Sequence, residues 1–325
     1  MANWQAGGEG DLEAGRCALC GDPSPPAEAV WPGIVRCTVC GLMYTHPRPT
    51  PAAMPRYYES DYYSYRFHGV RPRSHRLKTA LWRGLGMLPP GCPAGRPPFV
   101  ARLLRALVTS RYGVSATWTL PAPAPEARFL DVGCGAGERL ELARDLGWDT
   151  WGADLGEAAI REATQRAHRA VVASAEVLPF AENSFHYLNL SHVLEHLYDP
   201  LAALRECRRL LCPEGVVQVT VPNGAGWGAR RYGADWRAWD LPRHLYHFTA
   251  ATLTALVEKA GLHVAVVRTL TDEWVLQESR RAVGQEVSGS LRPTHASRTR
   301  ARRGEGENLD VWCVRPTERE GDRHV

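Results

Sequence analysis

Two cysteine pairs stand near the start of the chain, Cys17-x-x-Cys20-Gly and Cys37-x-x-Cys40-Gly, with 16 residues between them. Four thiolates on two tight knuckles suit tetrahedral Zn2+, and the glycine after each pair permits the turn. A closed set of four sulfurs leaves no open position, so this zinc is expected to fold its module and not to catalyse. Cys92, Cys134, Cys207, Cys212 and Cys313 lack such spacing and read as buried or incidental thiols. Further on, Gly133, Gly135 and Gly137 alternate after Asp131. Glycines at this spacing turn without Cβ clashes and let a ligand lie on bare backbone, where the free N–H groups of a helix start favour a carboxylate or phosphate. Asp154 follows at about the separation where an acid accepts the hydroxyls of a ribose. A third group is His192, Glu195 and His196, at i, i+3 and i+4, which would share one face of a helix.

These groups need elements to hold them. Short apolar runs at 128–132, 150–153, 171–173, 187–190, 216–221, 263–268 and 309–314 read as strands. Helical periods at 138–146, 157–166, 200–211 and 249–259 fall among them, the last ending at Gly261 with Lys259 in its final turn. Such alternation predicts an α/β fold with an open, mostly parallel sheet. The glycine loop then joins the first of these strands to the first helix. Residues 1–15 read as frayed, 50–68 as a tyrosine-dense connector, and 74–88 and 98–112 as two helices. The proline-rich stretch at 121–127 marks a boundary.

Asp131-x-Gly133-Cys134-Gly135-x-Gly137 resembles the class I S-adenosylmethionine-dependent methyltransferases of the D-x-G-C-G-x-G group. Supporting matches are Ala-Glu-x-Leu-Pro-Phe at 175–180, Asn-Ser-Phe at 183–185 and Leu-Glu-His-Leu-x-Asp-Pro at 194–200. The resemblance covers about 128–315 and implies a Rossmann-like seven-stranded sheet preceded by a small zinc ribbon. It implies that Gly133, Gly135 and Gly137 shape the loop around the methionine moiety of S-adenosylmethionine. Asp131 would meet its ammonium group, Asp154 the ribose hydroxyls and Leu155 the adenine. Ser174, Ala175 and Glu176 would border the adenine edge; the group usually has an acid where Ser174 stands. His186 replaces a frequent aspartate and is expected to support its strand. In this fold the end of the fourth strand faces the methyl group, which makes His192 a candidate general base. The same stretch resembles small-RNA 2′-O-methyltransferases, which hold a divalent ion with E-x-x-E-H and a later histidine, but His192 stands at their first glutamate. A structural turn built on Glu195 and His196 is the third alternative.

The implied domains are a ribbon at 1–48, a connector and substrate cover at 49–125, a methyltransferase core at 126–316 and a tail at 317–325. Within the core, 223–248 is expected to form a lid. Its Trp236, Trp239 and Tyr246 would stack on an acceptor ring, Arg243 would meet a carboxylate or phosphate, and His244 and His247 are further candidate bases; the alternative is a lid that packs on its own core. Residues 292–303 hold five arginines and no acid, and are expected to lie in a mobile loop spanning about 283–307. The Cys-Gly-Leu-Met-Tyr-Thr-His-Pro-Arg-Pro run resembles a ribbon-bearing bacterial subgroup often found among surface-polysaccharide and secondary-metabolite enzymes. A small-molecule or glycan-precursor acceptor methylated on oxygen is therefore expected. RNA, gripped by the ribbon and the arginines, is one rival; non-catalytic donor binding is another. With 325 residues, 44% hydrophobic, a net charge of +4 and no apolar span, the chain is expected to be cytoplasmic.

Overall fold

A computed structural model describes residues 10–21, 27–58, 120–121, 123–166, 168–287, 291 and 293–316. The two helices expected at 74–88 and 98–112, Cys92, and the tail at 317–325 lie outside the described residues. In chain order the strands are β1 Leu12–Glu13, β2 Ala27–Trp31, β3 Ile34–Cys37, β4 Met43–Thr45, β5 Arg48–Pro49, β6 Arg128–Val132, β7 Asp149–Asp154, β8 Arg169–Val172, β9 Phe185–Ser191, β10 Leu211–Pro222, β11 Tyr246–His247, β12 His263–Leu270 and β13 Asn308–Val314. The α-helices are α1 Glu138–Leu146, α2 Glu157–Gln165, α3 Pro200–Leu210, α4 Trp227–Tyr232, α5 Ala250–Lys259, α6 Glu273–Ala282 and α7 His295–Arg302. A seven-stranded sheet has the order β12-β13-β10-β9-β6-β7-β8, so the last strand of the chain inserts between two earlier ones. Among the described residues no helix is long and apolar enough to cross a membrane.

Internal contacts divide the chain into two units. One comprises Asp61–Ser191, Glu206–Gln218 and Trp312–Val325. Here β6 pairs in parallel with β7 on one side and β9 on the other, and β7 pairs in parallel with β8. The chain thus reverses its direction of travel across the sheet at β6 and β9, the switch point where open α/β sheets bind ligands beyond their strand ends. Phe129, Leu130, Leu188 and Leu190 are buried, as continuous apolar strands covered on both faces must be. His186 Nδ1 accepts from the Arg128 N–H at 3.2 Å, the strand support expected of it.

The other unit comprises Met1–Ser60, His192–Arg205 and Val219–Val311. A four-stranded sheet of order β11-β4-β3-β2 carries the second cysteine knuckle, and its edge strand β11 comes from the segment expected to be a lid. Ile34 and Met43 share one buried cluster with Tyr232, Trp236, Trp239, Val275 and Leu276. The ribbon expected at 1–48 therefore packs with 223–248, joined by α6, which the sequence reading had not marked. A second correction concerns the arginine run. Residues 295–302 are a helix, not a mobile loop: Thr294 Oγ1 accepts from the Ser297 N–H at 3.1 Å, a cap that starts α7 without any apolar periodicity. Within this unit Arg300 lies over the Trp227 ring at 3.9 Å and Arg230 pairs with Glu305 at 2.9 Å.

Candidate functional site

The glycine loop leaves β6 with φ of +72° at Gly133, +52° at Gly135 and +91° at Gly137, conformations L side chains rarely adopt. Backbone bonds staple it to β7: Gly133 N–H donates to Ala153 O at 2.7 Å and Cys134 N–H to the same oxygen at 3.1 Å. Close approach is also required of Gly152, which the sequence reading passed over; a Cβ there would lie 2.7 Å from Cys134 Sγ. Asp154 caps the arrangement. Its Oδ2 accepts from the Gly135 N–H at 2.9 Å and its Oδ1 from the Gly156 N–H at 2.8 Å. Burial raises its pKa against the pull of these backbone donors. A carboxylate offers about four acceptor sites in all, so these backbone donors do not exhaust it.

Asp131 is buried, and Asn189 Nδ2 donates to its Oδ1 at 2.6 Å. Burial pushes its carboxyl up to about 6, opposed by the charge of Arg139 and the bond from Asn189. Asn189 was missed from the sequence; its signal is a lone amide inside the apolar strand Tyr187–Leu190. Ser174, the apparent departure from an acidic position, donates its hydroxyl to Glu176 Oε2 at 2.6 Å, so a carboxylate does reach that place. Ala175 beside it is buried. Leu155 and Val177 are 66% and 75% exposed, apolar surface that a flat heterocycle would cover. A loop of positive-φ glycines, the buried Asp131, the half-buried Asp154 and exposed apolar flanks fit S-adenosylmethionine.

In the other unit, His192 to His196 do not form one helical face. His192 has φ +56°, and only Leu194–His196 make a short 3-10 turn. The backbone reversal still brings His192 Nδ1 within 3.2 Å of Glu195 Oε1. Glu195 is fully buried; desolvation opposes its charge, but His192 and the nearby histidines outweigh that and pull it down to about 2. A carboxylate can only accept, so His192 Nδ1–H is the donor. His196 Nδ1–H donates to Arg243 O at 3.1 Å, and its ring meets the His244 ring edge-on at 4.6 Å. Desolvation and His244 push His196 down to about 4. A ring nitrogen from each of His196 and His244 and a Glu195 oxygen lie within 4.8 Å of one another, a set that could hold a metal ion.

The residues expected to receive the acceptor are engaged inside the protein instead. Trp236 is buried and its Nε1–H donates to Glu307 Oε2 at 3.0 Å; Trp239 is buried and donates to Gly233 O at 2.8 Å. Tyr246 sits in β11 opposite Tyr44. Arg243 makes a two-pronged pair with Asp240 at 2.9 and 2.6 Å. His244 Nδ1–H donates to Ala238 O at 2.9 Å. His247 is buried and pushed down to about 3 by desolvation. The physical reason is the ribbon: its apolar β3 and β4 need a partner surface, and the aromatic segment supplies it.

The four cysteines converge, with Cys17 Sγ 3.4 Å from Cys40 Sγ and Cys20 Sγ 3.6 Å from Cys37 Sγ. Zinc–sulfur bonds of about 2.3 Å set neighbouring sulfurs at comparable separations. Gly21 and Gly41 follow the pairs at φ +72° and +77°, and their N–H groups donate back to Cys17 O and Cys37 O.

A methyltransferase-domain family matches residues 100–266. A ubiquinone biosynthesis O-methyltransferase of Dinoroseobacter shibae is 30% identical over 190 residues, covering 53% of this chain and 76% of that protein. A protein of the same name from Cereibacter sphaeroides is 31% identical over 190 residues, with the same 53% and 76% coverage. Among solved structures, an S-adenosylmethionine-dependent methyltransferase from Thermotoga maritima, described as a possible histamine N-methyltransferase, is 23% identical. It covers 67% of this chain and 97% of its own, with a TM-score of 0.46.

Proposed function

Because the chain belongs to the S-adenosylmethionine-dependent methyltransferases, we propose that it transfers the methyl group to a hydroxyl oxygen of a small molecule or glycan precursor. The observation that carries this reading is the stapled glycine loop, with Asp131 just before it and Asp154 bound to its middle glycine, Gly135. The O-methyltransferase names of the two relatives favour oxygen as the acceptor atom.

Bound S-adenosylmethionine supplies an electrophilic methyl on a sulfonium. The chain's own residues hold and align. Asp131 receives the ammonium group, the backbone of Gly133–Gly137 the amino-acid end, and Asp154 the ribose hydroxyls through its remaining lone pairs. Leu155, Ser174, Ala175 and Glu176 border the adenine. Alignment of donor and acceptor supplies much of the rate in an in-line displacement. His192 is assigned as the base: Glu195 holds its Nδ1–H and so orients the ring, and Nε2 is the atom assigned to take the acceptor's proton. His192 is the histidine of the cluster whose side chain is substantially exposed, at 34%. Cys17, Cys20, Cys37 and Cys40 hold a structural zinc.

The test is release of S-adenosylhomocysteine across a panel of phenols, catechols and nucleotide sugars. Turnover with a hydroxyl acceptor is expected, and His192→Ala should lower kcat on the order of 100-fold with donor affinity unchanged. Donor binding without turnover on any acceptor would favour a non-catalytic role, and unchanged kcat in His192→Ala would remove the base.

A further inference from the structure

The cysteine module does more than fold itself. Thr45, the last residue of β4, is fully buried and makes three bonds to the segment that carries His244 and His247. Its N–H donates to Leu245 O at 3.0 Å. Its hydroxyl donates to His244 O at 2.6 Å. A hydroxyl has one proton, so the contact between Thr45 Oγ1 and His247 Nε2 at 3.2 Å must run the other way, with Nε2–H donating. Leu245 N–H then donates to Glu195 O at 2.7 Å. The ladder continues beyond Thr45, with Tyr246 opposite Tyr44 and His247 opposite Met43. On the far side of β4, Ile34 pairs with Thr45 and Arg36 with Met43, one residue short of the Cys37 ligand. A continuous line of backbone bonds therefore runs from the second cysteine knuckle through Thr45 and Leu245 to Glu195, and Glu195 holds His192.

We propose that Thr45 is a positioning residue for methyl transfer, through which the cysteine module sets the place of Glu195 and hence the orientation of the His192 ring. The inference rests on His192 being the base. Glu195 holds that ring across a reversal: His192 sits at positive φ, its own N–H donates to Thr220 O at 2.8 Å, and Glu195 reaches it from three residues on, in a 3-10 turn. Sliding Leu245 by a fraction of an ångström moves the Glu195 backbone directly, and misplacement of a reacting group by about 1 Å costs on the order of 100-fold in rate.

Thr45→Val keeps the shape and removes the hydroxyl, leaving His244 O without its donor and His247 Nε2–H without its acceptor. The zinc-loaded full-length protein is expected to lose kcat by about 10- to 100-fold, with KM and Kd for S-adenosylmethionine and zinc content unchanged. Thr45→Ser, which restores the hydroxyl but not the methyl, is expected to recover most of kcat. A role in packing alone predicts the opposite ranking, with Val tolerated and Ser impaired, and that result overturns the inference. So does wild-type kcat in Thr45→Val. If Thr45→Val does not fold, Thr45→Ala measured against Thr45→Ser decides by the same ranking. Loss of turnover in His192→Ala with full turnover in Thr45→Val sinks the positioning role alone; full turnover in His192→Ala sinks the base on which it rests.

Discussion

Individual residues at the donor loop make two sharp demands. Gly137 combines φ +91° with a neighbour that a side chain would strike, since an added Cβ would lie 2.9 Å from His168 Cδ2. Gly137→Ala is expected to cost about 1–3 kcal/mol, read as a lowered midpoint in urea, because the left-handed strain and the clash act together. Asp131 makes the second demand. Its carboxyl titrates at about 6, so it keeps its proton to a higher pH than a free aspartic acid. In the role proposed for Asp131, only the ionised form attracts the ammonium of S-adenosylmethionine. Donor affinity should thus be full above pH 7 and weaken as pH falls through 6, approaching tenfold per unit. Calorimetry from pH 5 to 8 checks this, and Asp131→Asn should bind weakly with no such slope.

At the scale of elements, the aromatic segment meets a buried acid, Glu307, just before β13. Glu307 Oε1 accepts from the Gly228 N–H at 3.1 Å and Oε2 from Trp236 Nε1–H at 3.0 Å. Burial nevertheless pushes its pKa up to about 7. The folded state holds this proton more tightly than the unfolded state, so its contribution is complete below pH 4.5 and is lost as pH rises towards 7. The loss is about 3 kcal/mol on an order-of-magnitude scale. Urea unfolding at pH 5 and pH 7.5 should show it, and Glu307→Gln should flatten the difference. Trp236→Ala removes the ring that joins this acid to the ribbon's apolar cluster, and should cost about 3–5 kcal/mol.

For the molecule as a whole, the four-cysteine site belongs to the same unit as the histidines. Burial pushes Cys17, Cys20 and Cys40 up to about 11, while Cys37 is pulled below its usual range by backbone and thiol hydrogen bonds that outweigh burial. Zinc in the proposed site would have to displace those protons, so its retention is expected to fail as pH drops and protons compete for sulfur. Thiol-blocking reagents should release one zinc per chain, and Cys37→Ser should lose it. Because Met43 and Ile34 share a cluster with Trp236 and Trp239, zinc loss should also quench the native tryptophan signal of 223–248, in the same transition. A ribbon that lost its metal while that signal stayed unchanged would contradict the shared core.

The sequence by itself determined the glycine loop, the two cysteine knuckles and the alternation that builds the seven-stranded sheet. Each of these is local: positive φ selects glycine, a knuckle spans a few residues, and apolar periods of 2 and 3.6 are written along the chain. Only the tertiary structure decided what lies opposite. The aromatics of 223–248 have the composition of a binding surface, and they became a core because β3 and β4 of the ribbon needed one. Nothing in Leu-Tyr-His at 245–247 announces a strand until β4 offers it a ladder. His192, Glu195 and His196 looked like one helical face, yet positive φ at His192 made their contact through a reversal instead. Asn189, Glu307 and Thr45 do their work across 58, 71 and 199 residues of sequence separation, where pairing depends on packing and no short-range pattern records it.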